Sequence, residues 1–219
     1  MGRGDKNAAD QAAVEAMREV LNTAPFDGTV VIGEGEKDDA PMLANGERLG
    51  SGGPACDIAV DPLDGTRLVA EGLPGSIAVI ALAPSGTMFD PGVEFYMDKL
   101  VRAGAGRRVV DIRRSVPENL TALAAASSKP ATDLTVVVLD KPRHVELIAE
   151  IATLGARVRR VGEGDVAAAV QAARGEVDLA LGVGGTPEGV IAACAVRALG
   201  GFMQGRIGDR MFELDDLVA

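Results

Sequence analysis

The chain has 219 residues and a formal net charge of −10 at pH 7, and 47% of its residues are hydrophobic while only 3% are aromatic. The negative charge argues against nucleic acid as a partner, because contacts with phosphate backbones need clustered lysine and arginine. The length allows one large domain or two modest ones, with a core built mainly from Ala, Val, Leu and Ile.

The cysteines and the apolar runs indicate the compartment. Cys56 and Cys194 lie far apart in apolar runs, so we expect small buried side chains in a reducing environment rather than a disulfide. We find no apolar run long enough to span a membrane and no signal-peptide pattern. We therefore expect a cytoplasmic protein without a membrane partner.

The first predicted element is a helix from about Ala8 to Leu21, in which Val14, Met17 and Leu21 recur at helical spacing. Asp10 falls on the same stripe. It either complements the helix dipole from the first turn or points inward, where its charge would need a cation or a hydrogen-bond donor.

A strand over Thr29–Ile32 follows and leads into Gly33-Glu34-Gly35-Glu36. Glycines on both sides of Glu34 would let that carboxylate approach a ligand closely, because no side chains crowd it. The same residues could equally form a flexible acidic loop.

The most informative stretch begins as a buried strand, Ile58–Val60, and continues as Asp61–Thr66, with the sequence DPLDGT. We expect the strand to end at Asp61-Pro62, because proline withdraws a backbone donor, and we expect Gly65 to open a helix. Backbone N–H groups at the start of that helix would face an incoming phosphate.

The turn would bring the carboxylates of Asp61 and Asp64 together, and they would repel each other unless a cation lay between them. Oxygen ligands of this kind suit Mg²⁺, which also borrows phosphate oxygens from a substrate. Thr66 adds a hydroxyl beside that site. Two acids at this spacing would more often belong to a plain Asp-Gly turn, but the whole motif is far more specific.

Another strand is predicted over Ser76–Leu82, and the segment Phe95–Leu100 holds the only tyrosine, Tyr96. A lone tyrosine is usually a core residue with a satisfied hydroxyl. The composition changes near Ile112–Ser115, and we place a domain boundary there, which gives domains 1–113 and 114–219.

The second half alternates helical and apolar segments, which predicts βαβ units and a largely parallel sheet covered by helices. The fold class is therefore α/β, with an α+β first half. The alternating segments are Val116–Ala125, Leu134–Leu139, His144–Leu154, Ala156–Val161, Val166–Ala173, Val177–Leu181 and Pro187–Leu199.

Three loops follow strands of this second half, where open α/β sheets bind ligands. In the first loop, Lys141-Pro142-Arg143 offers two cations to a phosphate, although such residues at a helix start are often ordinary surface. The neighbouring His144 is expected to be a capping or packing residue.

The second loop, Gly162–Ala167, fits the loose G-x-G-x-x-A dinucleotide pattern, but Glu163 and Asp165 stand where a pyrophosphate would lie. Those acids would suit sugar hydroxyls instead. In the third loop, Gly182–Gly189, Glu188 could favour the helix N-terminus or reach a metal cluster.

Taken together, these segments resemble the bacterial class II fructose-1,6-bisphosphatases, some of which, in cyanobacteria, also hydrolyse sedoheptulose 1,7-bisphosphate. The DPLDGT motif is shared with the wider lithium-sensitive phosphatase superfamily, which includes inositol monophosphatases. The matching segments run in order along nearly the whole chain: Gly2–Asp10, Val31–Glu36, Ala59–Thr66, Lys141–His144 and Gly184–Gly189.

The resemblance implies a layered sugar-phosphatase fold, an αβαβα sandwich. It also implies hydrolysis of the 1-phosphate of fructose 1,6-bisphosphate, in gluconeogenesis or the Calvin cycle. The reaction would use two Mn²⁺ or Mg²⁺ ions, and the protein would be a homo-oligomer, a dimer or a tetramer.

The resemblance assigns Asp10 and Glu34 to one divalent ion, and it assigns Asp61, Asp64 and Glu188 to a second. Catalysis would rest on Asp61, Asp64 and Thr66, with Thr66 orienting the attacking water for in-line displacement. The residues that would contact the sugar bisphosphate are Asp64, Gly65, Thr66, Tyr96, Lys141, Pro142, Arg143, Glu163, Gly164, Asp165 and Gly185. Of these, Lys141 and Arg143 would hold the distal phosphate and so favour bisphosphates over monophosphates.

The chain departs from the family pattern in two residues and in length. Asp64 stands where members can carry Glu, and Glu163 stands where Asp is common. Family members have a helix before the Gly2 segment and a substantial region after Asp215–Leu217, and the stretch Gly205–Arg210 is shorter here. We therefore expect a truncated chain that is less stable than a full-length relative.

Two alternatives stay open. One is a phosphatase of the same superfamily that acts on an inositol or nucleotide phosphate, against which the second anchor at Lys141 and Arg143 argues. The other is an inactive fragment that binds a sugar phosphate, which the missing ends favour. Activity assays with and without Mn²⁺ separate the second alternative from the enzymes.

Overall fold

The computed structural model describes residues 2–34, 36–37, 40–41, 43–104 and 109–219. They form two compact units: unit 1 is the chain up to Gly92 together with Val218–Ala219, and unit 2 is Val93–Leu217. The division lies earlier than the predicted boundary at 113/114. The reason is that the strand Tyr96–Arg102 pairs on both sides with strands of unit 2.

Unit 1 is built on a mixed four-stranded sheet with the order β4-β1-β5-β6, in which β1 and β5 are parallel and the other neighbours antiparallel. Strands β2 and β3 pair with each other. Its described elements are α1 (Lys6–Leu21), β1 (Asp27–Ile32), β2 (Glu36–Lys37), β3 (Ala40–Pro41), β4 (Arg48–Leu49), β5 (Ala55–Asp64), α2 (Thr66–Glu71) and β6 (Ile77–Pro84).

The core of unit 1 lies between this sheet and α1, which packs on β5 and α2. Helix α1 begins at an N-cap, because the side chain of Asp5 accepts a hydrogen bond from the backbone N–H of Ala8 at 3.0 Å. The predicted stripe is confirmed in part: Val14 and Leu21 are buried, and they pack with Ile58 and other apolar residues of the strands.

Unit 2 contains a six-stranded sheet with the order β12-β11-β7-β10-β8-β9. Its described helices are α3 (Val116–Ser127), α4 (Val145–Thr153), α5 (Asp165–Ala173), α6 (Thr186–Ala198) and α7 (Leu214–Leu217). Its strands are β7 (Tyr96–Arg102), β8 (Thr135–Leu139), β9 (Arg157–Val161), β10 (Leu179–Gly185), β11 (Phe202–Ile207) and β12 (Arg210–Glu213).

The sheet of unit 2 is mixed, so the prediction of a largely parallel sheet was wrong. Only β9, β8 and β10 run parallel, and these are the strands that alternate with helices. Strand β7 precedes the first of those helices and pairs antiparallel with β10 and β11. Strands β11 and β12 form a hairpin, which needs no crossover helix.

In unit 2, α3 and α4 pack against the sheet and form a hydrophobic core with it. The fully buried residues of this core include Leu120, Leu123, Leu134, Val136 and Ile151. Both units therefore combine helices with a mixed sheet, and the α/β class is confirmed. The αβαβα order of layers stays a prediction. Within the described residues, every helix is too short or too polar to cross a membrane.

The cysteines differ in one respect from the prediction. Cys56 and Cys194 are free thiols, as expected, but each is half-buried rather than fully buried. Burial raises the pKa of the Cys194 thiol to about 11, and burial together with the carboxylates of Asp57 and Asp27 raises the pKa of Cys56. Both thiols are therefore protonated and unreactive at neutral pH.

Candidate active site

The DPLDGT motif lies in a bulged strand end. Strand β5 does not end at Asp61-Pro62, as the sequence predicted, because its pairing with β6 continues to Asp64. Asp61 lies opposite Val79 and Asp64 opposite Ile77, so three steps along β5 match two along β6. Such a bulge accommodates proline, whose missing N–H would otherwise leave a gap in the ladder.

The bulge fixes the side chains around it. The carboxylate of Asp61 accepts a hydrogen bond from the Leu63 N–H at 3.0 Å, and the hydroxyl of Thr66 donates to the Leu63 carbonyl at 3.1 Å. Asp64 is buried. Gly65 has φ +85° and caps α2, so the predicted helix start is confirmed and needs the left-handed conformation that glycine adopts readily.

The remaining predicted ligands of unit 1 lie on α1 and after β1. Asp10 is buried, which favours the inward-pointing alternative. Ile32 is paired with Ala59 in the parallel register of β1 and β5. Glu34 lies two residues beyond Ile32 and Asp61 two residues beyond Ala59, so both acids lie toward the same end of the sheet. Gly35, which was expected to flank Glu34, lies outside the described residues.

Glycine at position 33 permits a close backbone contact beside Glu34. A Cβ atom there would lie 1.7 Å from the carbonyl oxygen of Leu43. This contact sets the direction in which the chain leaves β1, and it agrees with the prediction that a glycine next to Glu34 allows close approach.

The candidate ligands have the right chemistry for a divalent cation. Within the described part of each unit, no three side chains of His, Cys, Asp and Glu are grouped closely enough to hold a metal. The donor set is nevertheless all carboxylate oxygen, as Mg²⁺ and Mn²⁺ prefer. In unit 2, the Glu188 Oε2 atom is shielded from solvent and has no hydrogen-bond partner among the described residues. A bound cation would compensate that buried oxygen.

Unit 2 collects candidate substrate contacts at one edge of its sheet. Strands β8 and β9 are parallel and end side by side, with Leu139 opposite Val161. The loops that follow these strands therefore lie next to each other, and the Lys141 ammonium is 3.8 Å from the carboxylate of Glu163. The predicted cation of the first loop thus meets the predicted acid of the second loop.

Arg143 is held by the next strand. Its Nε and Nη2 atoms donate to the carbonyl oxygen of Val183 at 3.0 and 2.9 Å, and its guanidinium carbon lies 5.4 Å from the centre of the Tyr96 ring. Tyr96 is 61% exposed, contrary to the expectation of a core residue. It lies opposite Gly185 in the register of β7 and β10.

His144 joins the ends of two strands and is buried, as its predicted packing role requires. Its Nδ1–H donates to the Leu139 carbonyl at 2.8 Å, and its Nε2 accepts the Val183 N–H at 2.8 Å. Burial lowers the pKa of His144 below its usual value. The ring is therefore neutral at pH 7 and fixes the backbone on which Arg143 rests.

The glycines at the end of β10 allow polar side chains to reach the backbone. A Cβ atom at Gly184 would lie 1.9 Å from Asp165 Oδ2, and one at Gly185 would lie 1.8 Å from Glu188 Oε2. Asp165 Oδ2 also forms an ion pair with the ammonium of Lys99, a buried residue of β7. Any larger residue at these positions would displace a charged side chain.

Comparisons with known proteins identify a family to which the chain is similar. The family described as bacterial fructose-1,6-bisphosphatase, glpX-encoded, matches residues 1–215. The chain belongs to this family.

Among its relatives are fructose-1,6-bisphosphatase 1 class 2 of Escherichia coli (strain K12) and fructose-1,6-bisphosphatase class 2 of Shigella flexneri. Each is 48% identical over 210 residues, which cover 94% of this chain and 62% of the relative. The chain thus spans less than two thirds of the length of these relatives.

The residues that the family resemblance assigns are divided between the units. Unit 1 carries Asp10, Glu34 and the DPLDGT residues, whereas unit 2 carries Glu188 and the other candidate sugar contacts from Tyr96 onward. Within unit 2 the structure brings together Tyr96 with Arg143, Lys141 with Glu163, and Asp165 with the glycines of β10.

Sequence reasoning missed Lys99. The signal was present, because Met97, Lys99 and Val101 share one face of β7 at the two-residue period of a strand, and both neighbours on that face are apolar. A charged residue in the middle of an apolar face indicates a buried ion that needs partners.

Asp57 was also missed. Its carboxylate accepts three hydrogen bonds, from the backbone N–H groups of Gly86, Thr87 and Met88, and so stabilises the fold of unit 1.

Proposed function

We propose that this chain is a metal-dependent sugar bisphosphatase that hydrolyses the 1-phosphate of fructose 1,6-bisphosphate to fructose 6-phosphate and inorganic phosphate. The relatives at 48% identity are named for fructose-1,6-bisphosphatase activity. The observation that carries the proposal is the convergence of Tyr96, Arg143, Lys141 and Glu163 at one sheet edge of unit 2. Fixed cations beside hydrogen-bonding groups match a phosphorylated sugar.

Arg143 and Lys141 would bind the distal phosphate. A guanidinium already fixed by the Val183 carbonyl loses little freedom when it binds a phosphate, so more of the interaction energy remains for affinity. Because Lys141 lies beside Glu163, a phosphate there would share the ammonium with that acid. Binding of the distal phosphate by Lys141 and Arg143 would favour a bisphosphate over a monophosphate, because a monophosphate lacks that group.

The acids Glu163 and Asp165 would accept hydrogen bonds from the sugar hydroxyls, and Tyr96 would cover the sugar or its phosphate. An exposed aromatic ring that stacks with Arg143 offers an apolar face and a hydroxyl at the same place. Gly185 would contribute close backbone approach, since its position has no room for a side chain.

The reacting phosphate would lie at the DPLDGT motif. The Thr66 hydroxyl donates its hydrogen to the Leu63 carbonyl, so its lone pairs can accept a hydrogen bond from a water and orient that water for attack. The water oxygen would then form a bond to phosphorus as the bond from phosphorus to the sugar oxygen breaks, and the proton that the water releases would pass to the sugar oxygen to give the alcohol. Little covalent chemistry is left to the protein, because positioning and charge stabilisation dominate phosphoryl transfer.

The family resemblance implies two divalent ions, which Asp10, Glu34, Asp61, Asp64 and Glu188 would hold. When bound, such ions polarise a phosphoryl group and lower the pKa of water. We propose Mn²⁺ or Mg²⁺ because all five side chains offer hard oxygen donors. We also propose that the enzyme acts in the cytoplasm as a dimer or a tetramer, as the resemblance implies.

Phosphate release from fructose 1,6-bisphosphate, measured with Mn²⁺, with Mg²⁺ and with excess chelator, tests the proposal. We expect release that needs a divalent ion and leaves fructose 6-phosphate as the sugar product. Parallel assays with sedoheptulose 1,7-bisphosphate and an inositol monophosphate define the substrate class. Faster release from the inositol phosphate, or full activity in the chelator, would overturn the proposal.

A further inference from the structure

Lys99 is a buried cation in the middle of a strand. It is 7% exposed, and its neighbours on the same face of β7, Met97 and Val101, are fully buried. An ammonium in such surroundings costs free energy unless opposite charge and hydrogen-bond acceptors surround it. The groups that contact the Lys99 ammonium therefore indicate the role of this residue.

Two partners come from two different segments of unit 2. The Nζ atom of Lys99 forms an ion pair with Asp165 Oδ2, at the first residue of α5, and donates to the carbonyl oxygen of Gly185, the N-cap of α6, at 2.7 Å. One ammonium thus ties the beginnings of two helices to the same strand.

Two glycines, Gly184 and Gly189, pack closely against this contact. A Cβ atom at Gly184 would lie 2.8 Å from the Lys99 ammonium and 1.9 Å from Asp165 Oδ2, and one at Gly189 would lie 3.4 Å from the Lys99 side chain. Close packing on these sides restricts the movement of the Lys99 side chain, because protein interiors shift only slightly to relieve overlaps. The two helix starts are consequently fixed relative to each other.

We propose that Lys99 is a positioning residue for the sugar: it fixes Asp165 and Gly185 in the geometry in which they contact the substrate. Because Lys99 engages Oδ2, the Oδ1 atom of Asp165 is left to accept a hydrogen bond from a sugar hydroxyl. The inference rests on the proposed function, because Asp165 and Gly185 are sugar contacts only if a sugar phosphate is the substrate.

The test measures the binding of fructose 6-phosphate by calorimetry in the presence of chelator, so that no catalytic step enters. Lys99→Met keeps the length of the side chain and removes the charge. We expect the dissociation constant to rise about tenfold to a hundredfold, the range for a lost hydrogen bond to a charged group. The matched control is Lys129→Met, which removes an exposed ion pair with Asp178 and should leave the dissociation constant unchanged.

A second variant separates positioning from mere stability. In Lys99→Met/Asp165→Asn both charges of the buried pair are absent, so the thermal midpoint should recover from the loss in Lys99→Met. The affinity for fructose 6-phosphate should not recover, because the sugar contact itself is altered. This double variant also serves if Lys99→Met alone fails to fold.

The outcomes are distinct. If the native chain binds fructose 6-phosphate and Lys99→Met binds it equally well, the positioning role is overturned and the proposed function stands. Recovery of affinity together with stability in the double variant would likewise overturn it, because Lys99 would then serve only the fold. If the native chain neither binds fructose 6-phosphate nor releases phosphate from the bisphosphate, the proposed function itself is wrong.

Discussion

The two units carry opposite kinds of candidate chemistry. Unit 1 presents carboxylates toward the end of β5, where the bulge lies between Asp61 and Asp64. Unit 2 presents cations that are held by contacts within the protein. Lys99 forms an ion pair with Asp165, Lys141 lies beside the carboxylate of Glu163, and Arg143 donates hydrogen bonds to the Val183 carbonyl. Neighbouring acids gain from an external cation, whereas fixed cations lose little freedom when they bind an anionic ligand.

This difference indicates a division of labour. The acids of unit 1, with Glu188 of unit 2, would hold metal and serve the chemical step, while the cations of unit 2 would select the substrate. A substitution in unit 1 should therefore lower the rate for every phosphate ester, whereas a substitution among the cations should change the preference between esters.

The largest effect is expected in unit 1. Asp61→Asn removes a charge without changing the shape of the side chain, and it should lower kcat on fructose 1,6-bisphosphate by about 10²–10³, as the loss of several kcal/mol of charge stabilisation predicts. Steady-state phosphate release measures this effect. Asp209→Asn in the exposed hairpin turn is the control and should retain native kcat. A fall of less than threefold in Asp61→Asn would remove Asp61 from the proposed metal ligands.

An intermediate effect is expected at the end of β10. Gly185 has φ −63°, so an alanine there meets no backbone strain, but its Cβ would lie 1.8 Å from Glu188 Oε2. Gly185→Ala should displace the Glu188 carboxylate and raise the Mn²⁺ concentration for half-maximal activity by about tenfold, as misplaced metal ligands or their supports do.

The comparison for this variant is Gly200→Ala. Gly200 has φ +66° and no atom within 4 Å of a Cβ, so alanine there should lower stability by about 1 kcal/mol through strain and leave the metal dependence native. An unchanged Mn²⁺ requirement in Gly185→Ala would show that Glu188 either does not bind metal or tolerates the displacement.

The smallest expected effect is a pH dependence of stability in unit 2. The pKa of His144 is lowered in the folded state by burial, so the unfolded chain binds a proton at a higher pH than the folded chain. The stabilisation from the neutral ring is fully present above the ordinary pKa of 6.5 and is lost as the pH falls toward the lowered value.

Urea midpoints at pH 7.5 and 5.5, compared between the native chain and His144→Gln, isolate this contribution, because all other groups titrate in both proteins. The native chain should lose more stability than the variant over this interval. An equal loss in both would mean that protonation of His144 leaves its bonds to Leu139 and Val183 intact.

The sequence predicted much of unit 2, because its alternating segments have strong local periods. The helices over Val116–Ser127 and Thr186–Ala198 and the strand Thr135–Leu139 lie close to where the pattern placed them. The pattern could not assign β7 to this sheet, because that pairing joins Tyr96–Arg102 to a strand far along the chain. Contacts of this kind leave no local period in the sequence.

The candidate site was predictable to a similar degree. The DPLDGT motif indicated a strand end that leads into a helix, and the structure has both. The bulge at Pro62 depends on the register with β6, and the contact of Tyr96 with Arg143 joins residues far apart in the chain; neither follows from a local pattern. Lys99 was predictable in principle, because it interrupts an apolar strand face.

The division of labour is tested most directly by one ratio: kcat/KM for fructose 1,6-bisphosphate divided by kcat/KM for fructose 1-phosphate, which lacks the distal phosphate. The ratio should fall about tenfold to a hundredfold in Arg143→Ala, the range for a lost charged hydrogen bond. It should stay native in Asp61→Asn, where both rates fall together, and in the exposed control Arg159→Ala. A native ratio in Arg143→Ala, or a changed ratio in Asp61→Asn, would contradict the assignment of chemistry to unit 1 and of substrate selection to unit 2.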